Sequence, residues 1–374
     1  MPFGLGKSYL SHELPSDNFF SQYPVLQTYA TFREENNYGI NPSSLYQYAF
    51  ETPNTALGDL TTRDSMVMLF VLIMMLKQVK AVVCPIFCSW GSKIGRSTHG
   101  AGWEVENEEK VVKFGEYVFR FMFHSIASIA GLYFSWDKPW WDQEKGGTIH
   151  FYLDYPNHII GIGSIWYYLM QGAYNVDAMA SLIQLSFVVK VQNPFGSQTK
   201  TIQSPIVIGW SPTCRGDFNE MFVHHVLTNL LLMGSSAIRL SRGGTMVFLI
   251  HDISDVPVDM SKLANFMKWK VTTIACFVTM MIVWAITRLG LLPFVFCRSM
   301  LYESHYAVPG IDVRYYYMIR PVFYGITFGI VGLHIFWFFL FLKIGYFLVF
   351  KKELHDLSEH KGGEKQHTNG KKTN

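Results

Sequence analysis

Seven stretches of predominantly apolar residues run through this 374-residue chain, approximately over 65–85, 117–136, 159–189, 221–240, 244–266, 271–296 and 322–350. Each is about the 20 residues a helix needs to cross a hydrocarbon layer, roughly twice what a tilted strand needs. Inside such a layer every backbone N–H and C=O must find a partner within the protein, which leaves helices and closed barrels as the spanning forms. The lengths select helices, so the expected fold is an all-α integral membrane protein with seven transmembrane helices. The 16% of charged residues agrees, because soluble domains carry about 25%. Lys77 and Lys80 interrupt the end of the first stretch, and snorkelling of both to the interface would accommodate them.

Charge sets the orientation. Three basic and seven acidic side chains precede the first stretch, whereas Lys351, Lys352, Lys361, Lys365, Lys371 and Lys372 follow the last. By the positive-inside rule the C-terminal tail is cytosolic, and an odd number of crossings puts the N-terminus on the far side. Lys190, Lys200 and Arg215, then Lys262, Lys268 and Lys270, fall on the cytosolic face as well. Trp136, Trp140 and Trp141 sit at the opposite interface, as an aromatic belt would. Residues 351–374 lack apolar periodicity and read as a disordered tail. Their final Lys371-Lys372-Thr373-Asn374 is either a solvated basic end or a dilysine signal, read by a cytosolic coat protein, for retrieval to the endoplasmic reticulum. No apolar stretch follows the basic start of the first sixty residues, so insertion is expected from internal segments rather than a cleaved signal. Cys84, Cys88, Cys214, Cys276 and Cys297 are scattered and read as small core residues. A net charge of +3 without an aromatic-interleaved basic stripe argues against a nucleic-acid partner.

The fourth and fifth stretches carry ionisable groups at bilayer depth, where each costs about 2.5–3.5 kcal/mol on insertion scales and is kept for function. Residues three or four apart share a helix face, which aligns His224 with Thr228, and Asp252 with Asp255 and Asp259, while His251 lies one turn before Asp255. At about 1.5 Å per residue, His224 is roughly 10 Å inside the cytosolic end of its helix and Asp255 roughly 15 Å inside the same end of the next. Packed as antiparallel neighbours, the two helices would set imidazole against carboxylate, an arrangement that suits a general base or a nucleophile. Zinc or iron is the rival occupant, since both ligand types hold these metals. Membrane di-iron oxygenases use several His-rich boxes, however, and this chain has one His-His pair, so no metal is assigned. An HHxxxD acyltransferase motif fails because Asn229 stands at the aspartate position. His124, His305 and His334 read as hydrogen-bonded core residues, and Asp177 either lines the same cavity or bonds to Tyr174 or Asn175.

Arg215-Gly-Asp217-Phe218-Asn-Glu220, His224-His225-x-x-Thr228, Ser235 or Ser236, Arg242-x-Gly244-Thr245 and His251-Asp252-x-Ser254-Asp255 with Lys262 resemble the Lag motif of ceramide synthases. The resemblance extends over about 110–350, through Lys113-Phe-x-Glu116, Arg120-Phe121, Asp137-Lys138-Pro139-Trp140, Tyr167-Tyr168, Arg288, Leu292-Pro293 and Leu333-His334-x-Phe336-Trp337. It implies a TLC catalytic domain at 110–350, a six-helix barrel, after a lumenal region at 1–64 and a first span with cytosolic linker at 65–109. It also implies transfer of a fatty acyl group from acyl-coenzyme A to a sphingoid base, with no cofactor, while the cytosolic dilysine ending points to a multi-pass protein of the endoplasmic reticulum membrane. The resemblance makes His224, His225, Asp252 and Asp255 catalytic, supported by Thr228, His251 and Asp259. Lys190, Lys200, Arg215, Lys262 and Lys268 are candidates for the acyl-coenzyme A head group, and about 299–315 for chain length. Besides both substrates and membrane lipid, the partners considered are a second subunit, like or unlike, and the coat protein. Pro257, Asp259 and Asp177 depart from the family pattern, and no homeobox-like insert occupies 86–112. The alternative function is a non-catalytic TLC-domain protein that binds lipid or assists membrane insertion.

Overall fold

A computed structural model describes residues 62–142, 146–152, 162–191, 206–210, 217–238, 240–304 and 313–351. Helix α1 spans Thr62–His99, far beyond the expected 65–85, and passes through Pro85. A one-turn α2, Trp103–Glu106, leads into α3, Glu108–Ser135. Two 3₁₀ turns, Pro139–Trp141 and Gly147–Phe151, precede α4, Ile162–Ser186. Helix α5 is Phe218–Ala237 and α6 is Ser241–Phe266, with Pro257 inside it. Helix α7 covers Lys270–Tyr302, with Ala285–Cys297 wound as π-helix. Pro293 lies in that stretch, and it removes an N–H and crowds a carbonyl of the preceding turn, as a widened turn tolerates. Helix α8 is Val313–Lys351.

The third expected span ends early. Phe187–Val191 leaves α4 as strand β1 and pairs antiparallel with β2, Ile206–Trp210, with Phe187 opposite Trp210 and Val191 opposite Ile206. Both strands are rich in β-branched residues, which favour a pleated ladder over a helical turn. Among the described residues, the fold is therefore helical apart from this short pair.

Helices α1, α3, α7 and α8 are long and apolar enough to cross a membrane. Helices α4, α5 and α6 stand at the other three expected positions and have 25, 20 and 26 residues. Their inward polar residues account for their lower apolarity. Packing follows a circuit: α3 against α6, α6 against α7, α7 against α8, α8 against α5, α5 against α4, and α4 back against α3. Helix α1 lies outside this circuit against α3 and α4, with Phe70, Val71, Met74 and Met75 exposed, as a lipid-facing surface requires. Helices α5 and α6 are consecutive in sequence but make few mutual contacts. The expectation that they pack as neighbours holds only in part: Leu232 meets the cluster of Phe248, but each helix packs mainly against others.

Candidate active site

Helix α6 crosses the interior with three aspartates, and a buried carboxylate must be paired and hydrogen-bonded. Helix α3 meets two of them and α7 the third. Asp252, 3% exposed, accepts from His124 Nδ1 of α3 at 2.9 Å, from the Tyr167 hydroxyl of α4 at 3.0 Å, and from Gln171 Nε2. Asp255 pairs with Arg288 of α7, Nη2 to Oδ1 at 2.5 Å, and Arg288 also donates to Ser254 Oγ and to the His251 carbonyl. Asp259, fully buried, faces Arg120 Nη2 of α3 at 3.1 Å. The imidazole that meets Asp252 is thus His124, which the sequence reading had placed in the core, and Tyr174 bonds the other nitrogen of that ring at 3.0 Å.

His224 and His225 stand on α5 with ring centres 5.7 Å apart. His224 Nδ1 and Thr228 Oγ1 are buried without a hydrogen-bond partner. His251 does not bond to Asp255. Its Nδ1 lies 2.6 Å from the Val247 carbonyl and its Nε2 lies 2.8 Å from His334 Nε2. Among the described residues, no group of three His, Cys, Asp or Glu side chains could hold a metal ion.

Two cavities meet at this cluster. The first, of ≈ 200 Å³, is largely apolar and runs along Tyr168, Leu232, Phe248, Phe296, Phe323 and Ile330. The second, of ≈ 330 Å³, opens at the other end of the helices among Lys80, Glu116, Arg120, Asp217 and Lys262. His124, Tyr174, Asn175, His224 and Asp255 line both, so they form the wall between an oily chamber and a charged one.

The stretch 202–343 matches the TLC domain. Human ceramide synthase 5 is 30% identical over 202 residues, which cover 53% of this chain and 43% of the relative. The Caenorhabditis elegans ceramide synthase hyl-1 is 29% identical over 237 residues, 62% of this chain and 56% of the relative, and mouse ceramide synthase 3 is 26% identical over 255 residues, 66% and 55%. The chain thus carries a stretch similar to the TLC domain and is similar to these ceramide synthases. It spans about half the length of these curated relatives. The matched TLC stretch holds His224, His225, Thr228, His251, Asp252, Asp255, Asp259, Arg288 and His334, whereas His124, Tyr167 and Gln171 come from helices before it.

The cations at the charged cavity agree only in part with those expected. Lys262 lines the charged cavity and lies 4.9 Å over the Tyr117 ring. Lys268 lines neither cavity, sits in the α6–α7 turn and donates to the Thr98 carbonyl. Lys190 falls on β1 without a described side chain, and Lys200, Arg215, His305 and the Lys371-Lys372 signal lie outside the described residues. Lys80 and Arg120 take the expected places in the charged cavity. Lys80 does not snorkel outward: its Nζ is 3.0 Å from Asp177 Oδ2, and Lys77 approaches the other oxygen at 3.6 Å. A lysine pair in one apolar helix and a lone aspartate in another were the visible signal of this partnership.

Proposed function

We propose that the chain is a ceramide synthase, an acyltransferase that moves a fatty acyl group from acyl-coenzyme A to the amine of a sphingoid long-chain base. The observation that carries this reading is the meeting of two unlike cavities at a wall containing His224 and Asp255. Phosphates and nucleotide cannot enter hydrocarbon, while an acyl chain can, and the thioester joins the two. A head group held by Lys80, Arg120 and Lys262 and a tail laid along Tyr168, Phe248 and Phe323 bring the thioester to His224.

The amine must lose a proton before or as it attacks the acyl carbon, and His224 accepts it. In a covalent route, which we favour, His224 first displaces the thiolate to form an acyl-imidazole, and the amine then releases the ring. His225 stands beside His224 as the second imidazole of the catalytic pair. The unpartnered hydroxyl of Thr228 lines the apolar cavity and is available to the developing oxyanion. Asp252 with His124, and Asp255 with Arg288, supply fixed charge around the ring, and His251 and Asp259 tie that charge to α8 and α3. No cofactor enters this scheme.

The circuit of α3 to α8 supports a TLC barrel over 110–350, with α1 as the added span and seven crossings in all. The charged cavity then opens to the cytosol, with 351–374 on the same side, in the endoplasmic reticulum membrane. Dimer formation and recognition of Lys371-Lys372 by a coat protein belong to the same proposal. Membranes expressing the chain, given acyl-coenzyme A and sphinganine, are expected to form ceramide, and His224→Ala at equal protein level is expected to lose about 10²–10⁴-fold. Normal protein without ceramide from the unaltered chain would instead favour the lipid-carrier reading.

A further inference from the structure

The apolar cavity is bounded, far from His224, by residues that do not belong to the helix circuit. Phe151, the last residue of the 3₁₀ turn Gly147–Phe151, and Tyr152 after it line the cavity and are 3% and 7% exposed. Their rings pack on Met246 and Leu249 of α6, and Phe296 of α7 stacks on Phe151 with ring centres 5.9 Å apart. Side-chain hydrogen bonds fasten this turn in place. Arg242 Nη1 of α6 donates to the His150 carbonyl at 2.9 Å, and Thr148 Oγ1 donates to Glu303 Oε2 at 2.7 Å. Ser299 of α7 donates to the same carboxylate oxygen at 2.7 Å. On the α8 side, Arg320 donates to the Tyr324 hydroxyl and the Leu301 carbonyl, and Tyr324 donates to the Met300 carbonyl at 2.9 Å. The end of α7 is thus tied both to the turn and to α8. The depth of the chamber follows from α6. Gly243 stands beside Phe151, since a Cβ there would lie 3.7 Å from that ring, and it is twelve residues before Asp255 at the wall shared by both cavities. At about 1.5 Å per helical residue the chamber is roughly 18 Å deep. One leaflet's acyl chains fill a similar depth, half of a hydrocarbon core of about 30 Å.

We propose that Phe151, on its fastened turn, is the depth stop of the acyl chamber, so that the site takes acyl groups of ordinary membrane-lipid length, such as palmitoyl, and refuses very long ones, such as lignoceroyl. This rests on the acyl-transfer reading above and names the substrate class of that site. With the thioester at His224, an extended chain runs down α6 toward Gly243 and its terminal methyl meets the Phe151 ring. A much longer chain must either fold back among Tyr168, Phe248 and Phe323 or push aside a turn bonded to Arg242 and Glu303. A close-packed interior resists both, because added methylenes force neighbouring side chains and backbone to move. The long chain is then held short of full insertion, with its thioester displaced from His224.

The test gives the full chain in membranes sphinganine with palmitoyl- and lignoceroyl-coenzyme A in competition, and separates the ceramides by mass. The wild type is expected to favour palmitoyl by at least about tenfold. Phe151→Ala deepens the chamber and should move the ratio toward lignoceroyl by about tenfold or more. Phe151→Leu, which keeps more of the core filled, should move it the same way by less, and it decides the matter if the alanine variant fails to fold. Gly243→Val adds bulk beside the ring and should move preference the other way, toward myristoyl over palmitoyl. A wild type that uses both acyl groups equally, or ratios unmoved in Phe151→Leu and Gly243→Val, would overturn the stop. Independently of turnover, native mass spectrometry of purified protein in detergent should find palmitate retained and lignocerate excluded, with both retained in Phe151→Leu. That binding pattern in a chain that forms no ceramide would sink the acyl-transfer reading and leave the stop standing, whereas ceramide formed without regard to chain length would do the reverse.

Discussion

Arg288 holds the interior together through charge, and removing it gives a calculable loss. It is 3% exposed, pairs with Asp255 at 2.5 Å, donates to Ser254 Oγ at 2.6 Å, and stands 3.9 Å over the Trp284 ring. In Arg288→Met the apolar volume is kept while the carboxylate is stranded. Breaking a buried pair from one side costs about 3–5 kcal/mol. The side chain of Asp255 is 24% exposed and lines both cavities, so water reaches it and the lower end applies, about 3 kcal/mol. Loss of the contact with Trp284 adds about 1 kcal/mol. The total, about 4 kcal/mol, is roughly a thousandfold in the folded-to-unfolded ratio. Asp255→Asn strands the guanidinium, but Ser254, the His251 carbonyl and Trp284 still surround it, and the expected cost is about 2 kcal/mol. Removing both charges in Arg288→Met with Asp255→Asn should cost at least about 2 kcal/mol less than the sum of the two single-site losses. Denaturant unfolding in detergent, followed by tryptophan fluorescence, reads all of these. An Arg288→Met protein within about 1 kcal/mol of wild type, or strict additivity, would refute the idea that this pair is what makes the interior charge tolerable.

Two further substitutions probe the packing around the site. A Cβ at Gly244 would lie 2.5 Å from the Tyr168 hydroxyl oxygen, so Gly244→Ala should destabilise by about 1–3 kcal/mol, and Tyr168→Phe in the same chain should recover part of it. Equal losses in both backgrounds, measured by thermal unfolding, would show that the clash is absorbed elsewhere. Asp177→Ala leaves Lys77 and Lys80 facing α4 without their counter-ion, and faster amide exchange is expected in α1 while α6 keeps its protection. Uniform loss of protection would mean that α1 is not docked through that carboxylate.

Much of the fold can be read along the chain, because long apolar segments in lipid have few alternatives to helix. The helices α3, α5, α6, α7 and α8 fall where apolar length places them. The misses share a cause. The β1–β2 pair depends on residues nearly twenty positions apart finding each other, and the length of α1 on contacts with α3 and α4 rather than on its own apolarity. At the site, the ionisable residues of α5 and α6 announce themselves by their depth, and Lag-motif resemblance selects the same ones. Their partners do not. His124, Arg120 and His334 look like isolated polar residues in their own helices, and nothing local assigns them to Asp252, Asp259 and His251.

The sequence by itself determines that this is a helical membrane protein, which residues carry costly charge into the apolar layer, and kinship with the ceramide synthases. These follow from composition over twenty-residue windows and from motif order, both local along the chain. Only the tertiary structure decides which charge meets which, that α5 and α6 pack mainly against other helices, and that an oily and a charged cavity share the wall at His224. Pairing and cavity shape arise from helices far apart in sequence, and their energies depend on distance and burial in three dimensions.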